Sequence, residues 1–349
     1  MTRSLFMALL VVITAFGCAT QGDRWPLPSE VATSGTGPFR RLADSETGVP
    51  GLPLGRVIPQ RSAAIESATP VEDRLLYVIA ERNDLASPEA LPESWVIDPM
   101  YFGPRRIFIS PPSTGIGYES GSEVEISASA DFSFDSDVFD PWIVRTPDDS
   151  FRLFFVTSDG VFTAISERVE GPYSQAAQLV APAEDDQTIR RPAVVSAADS
   201  GYLLYLSAGD AIAFIALDDD FNANGTLTLL DTPPAAEIVD DSPEVAVRNP
   251  AAIWVRSPTG RDTLRMYFES HREDGSVRLG MMASADGLVF ERFLGRVYDD
   301  SDNPTFPAPI IDADLATRLV FTRDHIVDNV QYRAPVAAVT PGAVTYSSD

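Results

Sequence analysis

The chain has 349 residues, of which 44% are hydrophobic, and this is enough apolar material for one large folded domain or two ordinary ones. Its 51 acidic residues outnumber 26 basic ones and give a formal net charge of −25. Such a charge repels phosphate backbones, so the composition argues against nucleic acid as a partner.

The first 17 residues have the pattern of an export signal. An Arg-bearing start precedes an apolar run from Leu5 to Gly17, which is shorter than the roughly 20 residues of a membrane-spanning helix. The run ends in "AFGC", which resembles a bacterial lipoprotein cleavage box, and Cys18 is the only cysteine of the chain. The resemblance implies a signal peptide over residues 1–17 and a lipid on Cys18, with a plain signal peptide as the alternative. Ala19, where Asp would favour the inner membrane, implies anchoring in the outer membrane of a Gram-negative bacterium, on its periplasmic or cell-surface side.

Residues 18–60 are rich in Pro, Gly, Ser and Thr and show no sustained hydrophobic period. This composition is typical of a flexible linker. We therefore expect a tether over residues 18–60 that holds a folded domain, residues 61–349, away from the membrane.

From residue 61 onward, short apolar and aromatic runs lie between clusters of Gly, Pro, Asp and Ser, which predicts an all-β fold. One string recurs five times in similar form: "RLLY" from Arg74, "RLFF" from Arg152, "YLLY" from Tyr202, "LRMY" from Leu264 and "RLVF" from Arg318. Each is predicted to be a buried strand of a repeated unit.

Ahead of four of these strings, a dipeptide ending in Pro opens another apolar run, at Asp140, Arg191, Asn249 and Phe306. Proline is tolerated at the start of a strand and poorly within one, so each dipeptide marks a strand start. In the first unit "RSAAIES" from Arg61 is predicted to fill this place.

A third element follows in each unit. "ASAD" occurs at Ala128 and again at Ala283, and we interpret the two copies as the same third strand and turn of the first and fourth units. Five units between residues 61 and 346 predict a five-bladed β-propeller, since radial repetition leaves only short sheet edges. A pair of β-sandwich domains is the alternative.

The strings "DPWIVR" from Asp140, "LRMYFES" from Leu264, "ASADGLVF" from Ala283 and "AISERVEGPY" from Ala164 resemble the blades of five-bladed glycoside hydrolases of families 43, 32 and 130. The resemblance implies that the opening residue of each first strand lines an axial funnel. Those residues are predicted to be Arg61, Asp140, Arg191, Asn249 and Phe306. Family 43 hydrolysis needs a carboxylate base and a carboxylic acid there, and only Asp140 matches, so the catalytic pattern is largely absent.

Further polar residues follow the second strands. Glu81, Glu269 and His271, together with His325, are expected near the funnel, with Asp140 as the candidate base and Glu269 or Glu81 as the candidate acid. Arg191 and Asn249 are the candidate ligands for sugar hydroxyls or an anionic group. Glu170 in "EGP" follows a third strand and is interpreted as a turn residue.

These features favour a carbohydrate-binding protein, a degenerate or divergent glycosidase that acts as a monomer and requires no cofactor. An active glycoside hydrolase and a non-catalytic scaffold propeller are the alternatives.

"DFNANGTLTLLD" has the spacing of a calcium loop, with candidate oxygen ligands at Asp220, Asn222, Asn224 and Asp231. Asn224-Gly225 is also a strong hairpin signal, so a turn between two strands is the alternative.

Overall fold

A computed structural model of the protein describes residues 39–41, 63–71, 74–81, 105–111, 121–133, 137–182, 188–234, 242–255, 262–293, 297–298, 303–311, 317–327 and 330–339. All regular elements in these ranges are β-strands. None of the described residues belongs to a helix of the length and hydropathy that crossing a membrane requires.

Within the described residues, twenty strands form five antiparallel sheets of four strands, called blades one to five. Blade one contains β2 (Ala63–Val71), β3 (Arg74–Glu81), β4 (Arg105–Ser110) and β5 (Ser122–Glu123). Blade two contains β6 (Phe139–Arg145), β7 (Phe151–Thr157), β8 (Gly160–Ser166) and β9 (Ser174–Val180). Blade three contains β10 (Ile189–Ser196), β11 (Tyr202–Ala208), β12 (Ala211–Leu217) and β13 (Ala223–Leu229).

Blade four contains β14 (Glu244–Val255), β15 (Thr263–Arg272), β16 (Val277–Ser284) and β17 (Glu291–Arg292). Blade five contains β18 (Thr305–Ile311), β19 (Thr317–Val327), β20 (Val330–Val339) and β1 (Arg40–Arg41), which comes from the N-terminal side of blade one.

The first strand of each blade, its inner strand, contacts the inner strands of both neighbouring blades, so that β2, β6, β10, β14 and β18 form a closed ring. The sheets stack through their faces: Leu76 and Ile107 of blade one pack with Leu153 and Phe162 of blade two. Similar buried clusters join blades two and three, three and four, and four and five. The predicted β-propeller is confirmed.

The recurring aromatic strings lie in the second strands β3, β7, β11, β15 and β19, and the Pro dipeptides lie in the inner strands of blades two to five. Asp140, Arg191, Asn249 and Phe306, the residues before these prolines, all have φ between 51° and 54°. Each lies at a one-residue bulge in the pairing of its strand. We call them the kinked residues.

Blade one differs from the prediction at this position. The pairing of β2 with β3 shifts between Ile65 and Ser67, so Glu66 occupies the place of the kinked residue. Arg61, which was predicted to be there, lies outside the described residues. The sequence signal failed because Ser67, rather than proline, follows Glu66.

The two "ASAD" copies are not equivalent, which corrects the prediction. The copy at Ala283 ends β16, the third strand of blade four, and Asp286 accepts hydrogen bonds from the amides of Leu288 and Val289 in the following turn. The copy at Ala128 follows the fourth strand of blade one. The third strand of blade one is β4 (Arg105–Ser110) instead.

The predicted tether boundary at residue 60 also differs from the structure. Phe39 is fully buried, its amide donates to Val297 at 2.7 Å, and its ring meets Tyr267 edge to face. The next two residues form β1, which pairs with β20. This short segment of the expected linker therefore belongs to the propeller and closes blade five.

Candidate functional site

The kinked residues of neighbouring blades lie side by side at one end of the ring, which we call the axial face. A bulge removes an amide from the pairing of the sheet, and a buried amide needs another acceptor. The amide of Arg191 donates to Asp140 Oδ2 at 3.1 Å, that of Asn249 to Ser207 Oγ at 2.6 Å, and that of Phe306 to Glu269 Oε1 at 2.6 Å. In each case the acceptor belongs to the preceding blade, so these bonds tie blade to blade.

Asp140 is 1% exposed and is held by two arginines. Arg190 Nε donates to its Oδ2 at 2.5 Å, and Arg190 Nη2 approaches its Oδ1 at 3.4 Å. Burial alone would raise the pKa of this carboxyl, but the charge and hydrogen bonds of Arg190, with a further contribution from Arg191, hold the pKa below its ordinary value. Asp140 is therefore a buried carboxylate engaged in structural contacts.

Glu269 on β15 is also 1% exposed. Its Oε1 accepts hydrogen bonds from Asn249 Nδ2 at 2.7 Å and from the Phe306 amide, and its Oε2 lies 2.8 Å from His271 Nε2. The structure thus brings together three of the predicted site residues, Asn249, Glu269 and His271, at the junction of blades four and five.

Arg191 lies buried near the centre of the ring. Its guanidinium approaches Thr69 Oγ1 of blade one at 3.4 Å and the Pro307 carbonyl of blade five at 3.3 Å, and it lies 5.1 Å from the centre of the Phe306 ring. Burial lowers the pKa of this guanidinium, while Asp140 and Glu269 act in the opposite direction. The predicted sugar-binding Arg191 instead reaches across the axis and fills it.

The solvent-facing part of the axial face is formed by other side chains. Arg190, His271 and Arg248 have side chains between 25% and 42% exposed. Arg248 forms an ion pair with Asp210, and the Arg190 guanidinium lies 4.5 Å from the centre of the half-buried Phe139 ring. These groups offer hydrogen-bond donors beside an aromatic surface.

His271 and His325 both follow predicted second strands in the sequence, but the strand pairing gives them different positions in their blades. Glu269 and Thr322 both pair with the residue before the kink of their blade. His271 therefore corresponds to Asp324, and His325 lies one residue further along β19. Because successive residues of a strand alternate between faces, the two histidine positions are not equivalent.

For Glu81 the strand pairing gives a backbone position only. It lies at the end of β3, two residues after Ile79, which pairs with the residue before the irregularity of β2. This is the position that His271 has in blade four. Only backbone positions are described for Glu81 and for His325.

The candidate calcium ligands are not brought together. Asp220 and Asn222 lie in a tight turn, where Asp218 Oδ1 accepts from both of their amides at 3.0 and 2.8 Å. Asn224 lies in β13, whose seven residues span roughly 20 Å and separate this turn from Asp231. The segment is therefore a hairpin and a strand, which corrects the calcium-loop prediction. The described residues also contain no group of three or more His, Cys, Asp and Glu side chains suited to a metal.

Glu170 lies in the turn after β8 and forms an ion pair with Arg74, as the turn interpretation expected.

Three residues of the axial face were not predicted from the sequence: Arg190, Ser207 and Arg248. Arg190 and Arg248 immediately precede kinked residues, so the Pro dipeptides could have pointed to them.

No protein family model and no curated protein matches the chain. Among solved structures, an endo-arabinase from Bacteroides thetaiotaomicron superposes with a TM-score of 0.54 at 17% identity, covering 82% of this chain and 95% of the other. A thermostable family 43 glycoside hydrolase gives 0.50 at 12% identity, covering 82% and 97%. The catalytic domain of a family 62 α-L-arabinofuranosidase from Coprinopsis cinerea gives 0.52 at 9% identity, covering 80% and 91%. The chain therefore has the β-propeller fold of these glycoside hydrolases.

Proposed function

We propose that this propeller binds a carbohydrate at its axial face without hydrolysing it. The observation that carries the proposal is the hydrogen bonding of the two axial carboxylates whose side chains the structure describes. Asp140 and Glu269 each hold the amide of the next kinked residue, and each is 1% exposed.

Hydrolysis by two carboxyl groups needs an acid and a base that face one space, which holds the sugar and, for inversion, a water. Arg190 Nε and the Arg191 amide both donate to Asp140 Oδ2, and Glu269 Oε1 also has two donors. Arg191 fills the axis between the blades. This arrangement supports a stable ring in which Asp140 and Glu269, the axial carboxylates whose side chains the structure describes, form no open catalytic pair.

Binding of a sugar requires exposed hydrogen-bond donors and an apolar surface, and the axial face has both. The partly exposed Arg190, Arg248 and His271 offer donors for sugar hydroxyls or an anionic group, and Phe139 beside Arg190 offers an apolar surface. Two of the similar structures are named for arabinose chemistry, an endo-arabinase and an α-L-arabinofuranosidase. We therefore propose an arabinose-containing polysaccharide as the ligand.

Calorimetric titration of the full chain with arabino-oligosaccharides, and with xylo-oligosaccharides for comparison, tests the proposal. We expect binding that weakens at least tenfold in Arg248→Gln and in His271→Ala. Arg168→Gln is the matched arginine control, because Arg168 lies exposed in the turn after β8 and contacts Gly171. Equal losses of sugar affinity in Arg248→Gln and Arg168→Gln would contradict the assignment of the sugar site to the axial face.

A reducing-end assay on the same sugars separates binding from hydrolysis. We expect no release above background by the natural protein. Release that disappears in Asp140→Asn, while thermal unfolding of the variant remains cooperative and above the assay temperature, would instead establish an active hydrolase with Asp140 as its base. If no glycan binds at all, the scaffold alternative replaces the carbohydrate proposal.

We also propose that Cys18 carries a lipid that anchors the protein in the outer membrane. The "AFGC" string supports this, and Cys18 lies outside the described residues. Metabolic labelling with a fatty acid in a Gram-negative host should label the natural chain and not Cys18→Ser. Labelling of both would remove Cys18 as the anchor.

A further inference from the structure

A cavity of about 310 Å³ lies on the other side of Arg191 from the axial face. Apart from Phe151 of β7, its lining comes from residues two to five positions beyond the pairing shift in the inner strands of blades one, two, four and five. At about 3.3 Å per residue, these inner-strand residues lie roughly 7 to 16 Å further along their strands than the kink positions do. Thr69 contacts the Arg191 guanidinium and also lines the cavity. Because Arg191 fills the axis, it lies between the cavity and the axial face, and the cavity is separate from the proposed sugar site.

The cavity is largely apolar. Val71, Ile143, Phe151 and Ile253 contribute to its wall. Trp142 also lines it, and the indole Nε1 donates to the Val194 carbonyl at 2.9 Å, so its polar atom is satisfied within the protein. An apolar cavity of about 150 Å³ is enough to hold one benzene. This cavity is about twice that size, which suits a molecule of two fused rings.

Among the described lining residues, one is charged, and its side chain is near the solvent. The Arg145 side chain is 57% exposed and pairs with exposed Asp149 at 3.2 Å. Exposed pairs of this kind contribute roughly 0–1 kcal/mol, so a carboxylate on a ligand can replace Asp149 at little cost. The Arg145 guanidinium also lies 5.9 Å from the centre of the Phe151 ring, at the same part of the wall.

We propose that this cavity binds a small aromatic carboxylate of about two fused rings. The rings occupy the apolar space beside Trp142, and the carboxylate meets Arg145. The ligand enters from the end of the ring opposite to the axial face, so its binding is independent of the sugar.

Calorimetric titration of the full chain with 2-naphthoate, and with neutral 2-naphthamide, tests the proposal. We expect one saturable site for both compounds. Arg145→Gln should weaken 2-naphthoate at least tenfold and change 2-naphthamide less than twofold. Arg168→Gln, the exposed arginine after β8, should change neither. An equal loss of both compounds in Arg145→Gln would overturn the assignment of the carboxylate to Arg145.

Filling the cavity provides a second, independent readout. Ile253→Trp and Val71→Phe each add volume to the wall, and each should reduce binding of both compounds at least tenfold while thermal unfolding remains cooperative. Two variants are used so that one unstable protein does not decide the result. Binding that persists in a folded cavity-filling variant, or no saturable binding by the natural chain, would overturn the proposal.

Discussion

Two buried carboxylates at the axial face, Asp140 and Glu269, hold adjacent blades together, and their sequence context does not reveal this role. Each accepts the amide that a kink has removed from sheet pairing. A carboxyl group in that role is desolvated, which is tolerable only beside matched donors. At this scale the same residue types that suggest hydrolysis instead explain how adjacent blades are joined.

Asp140→Asn should destabilise the protein by about 1–3 kcal/mol, because it removes the buried charge to which the partly exposed Arg190 and the Arg191 amide both donate. Chemical denaturation measures this loss. Asp149→Asn, which alters the exposed pair with Arg145, is the matched control and should change the free energy of unfolding by less than about 1 kcal/mol. Similar values for the two variants would contradict a structural role for the buried pair.

Asp140 should also contribute to the acid sensitivity of folding. Its pKa in the folded protein lies below the ordinary value, which is about 3.9. The unfolded chain therefore takes up the proton first, and the stabilisation is fully present above about pH 4 and is lost as the pH falls through the folded-state pKa. Unfolding curves between pH 2 and 6 should show a steeper loss for the natural protein than for Asp140→Asn. Parallel curves would contradict this.

At the scale of the elements, close packing of strands within a blade sets limits on side-chain size. Gly280 of β16 pairs directly with Phe268 of β15. A Cβ atom at Gly280 would lie 2.2 Å from Phe268 Cε2, so the phenyl ring covers the glycine. The absence of a side chain at this position is what allows the two strands to lie in register with the ring fully buried.

Gly280→Ala should destabilise the protein by about 1–3 kcal/mol through overpacking against this ring. Phe268→Leu removes the ring, and the double variant should then lose less stability than the sum of the two single variants. Thermal unfolding of all four proteins gives the coupling. Strict additivity would show that the close approach has no energetic consequence.

Much of the element order is predictable, because proline marks the kinks of blades two to five and aromatic strings mark the second strands.

The features that the sequence did not predict have local causes. Glu66 is followed by Ser67, so nothing in the sequence marked the pairing shift of blade one. The two residues of β1 are too short to show a period. The spacing from Asp220 to Asp231 matches a calcium loop, but β13 is extended, and spacing alone does not distinguish the two. The axial hydrogen bonds join residues far apart in sequence, so local patterns cannot reveal them.

On the scale of the whole molecule, the ring is closed by a segment distant in sequence from the rest of its sheet. Phe39 is fully buried with Tyr267, Val297 and Phe321 between blades four and five. The strand that follows it supplies the outer edge of blade five. Closure of this kind makes the stability of the last blade depend on the beginning of the domain.

Phe39→Ala should therefore destabilise the whole protein by about 3–5 kcal/mol, as expected when a buried phenyl group is deleted. Leu288→Ala is the control, because Leu288 is half exposed and should change stability by no more than about 0.5 kcal/mol. Differential scanning calorimetry reports both. A loss for Phe39→Ala no larger than for Leu288→Ala would show that the segment does not hold the ring together.

The pairing of β1 with β20 has a consequence for synthesis. Arg40 and Arg41 leave the ribosome roughly 300 residues before their partners Val339 and Ala338. At about 5–20 residues per second, the early strand waits on the order of 15–60 seconds with its hydrogen-bonding groups unpaired. During that interval the nascent chain displays a free strand, and the recess for Phe39 forms only after Tyr267, Val297 and Phe321 have also been synthesised. A helper protein or a second nascent copy that engages either one would therefore find its target only before translation ends.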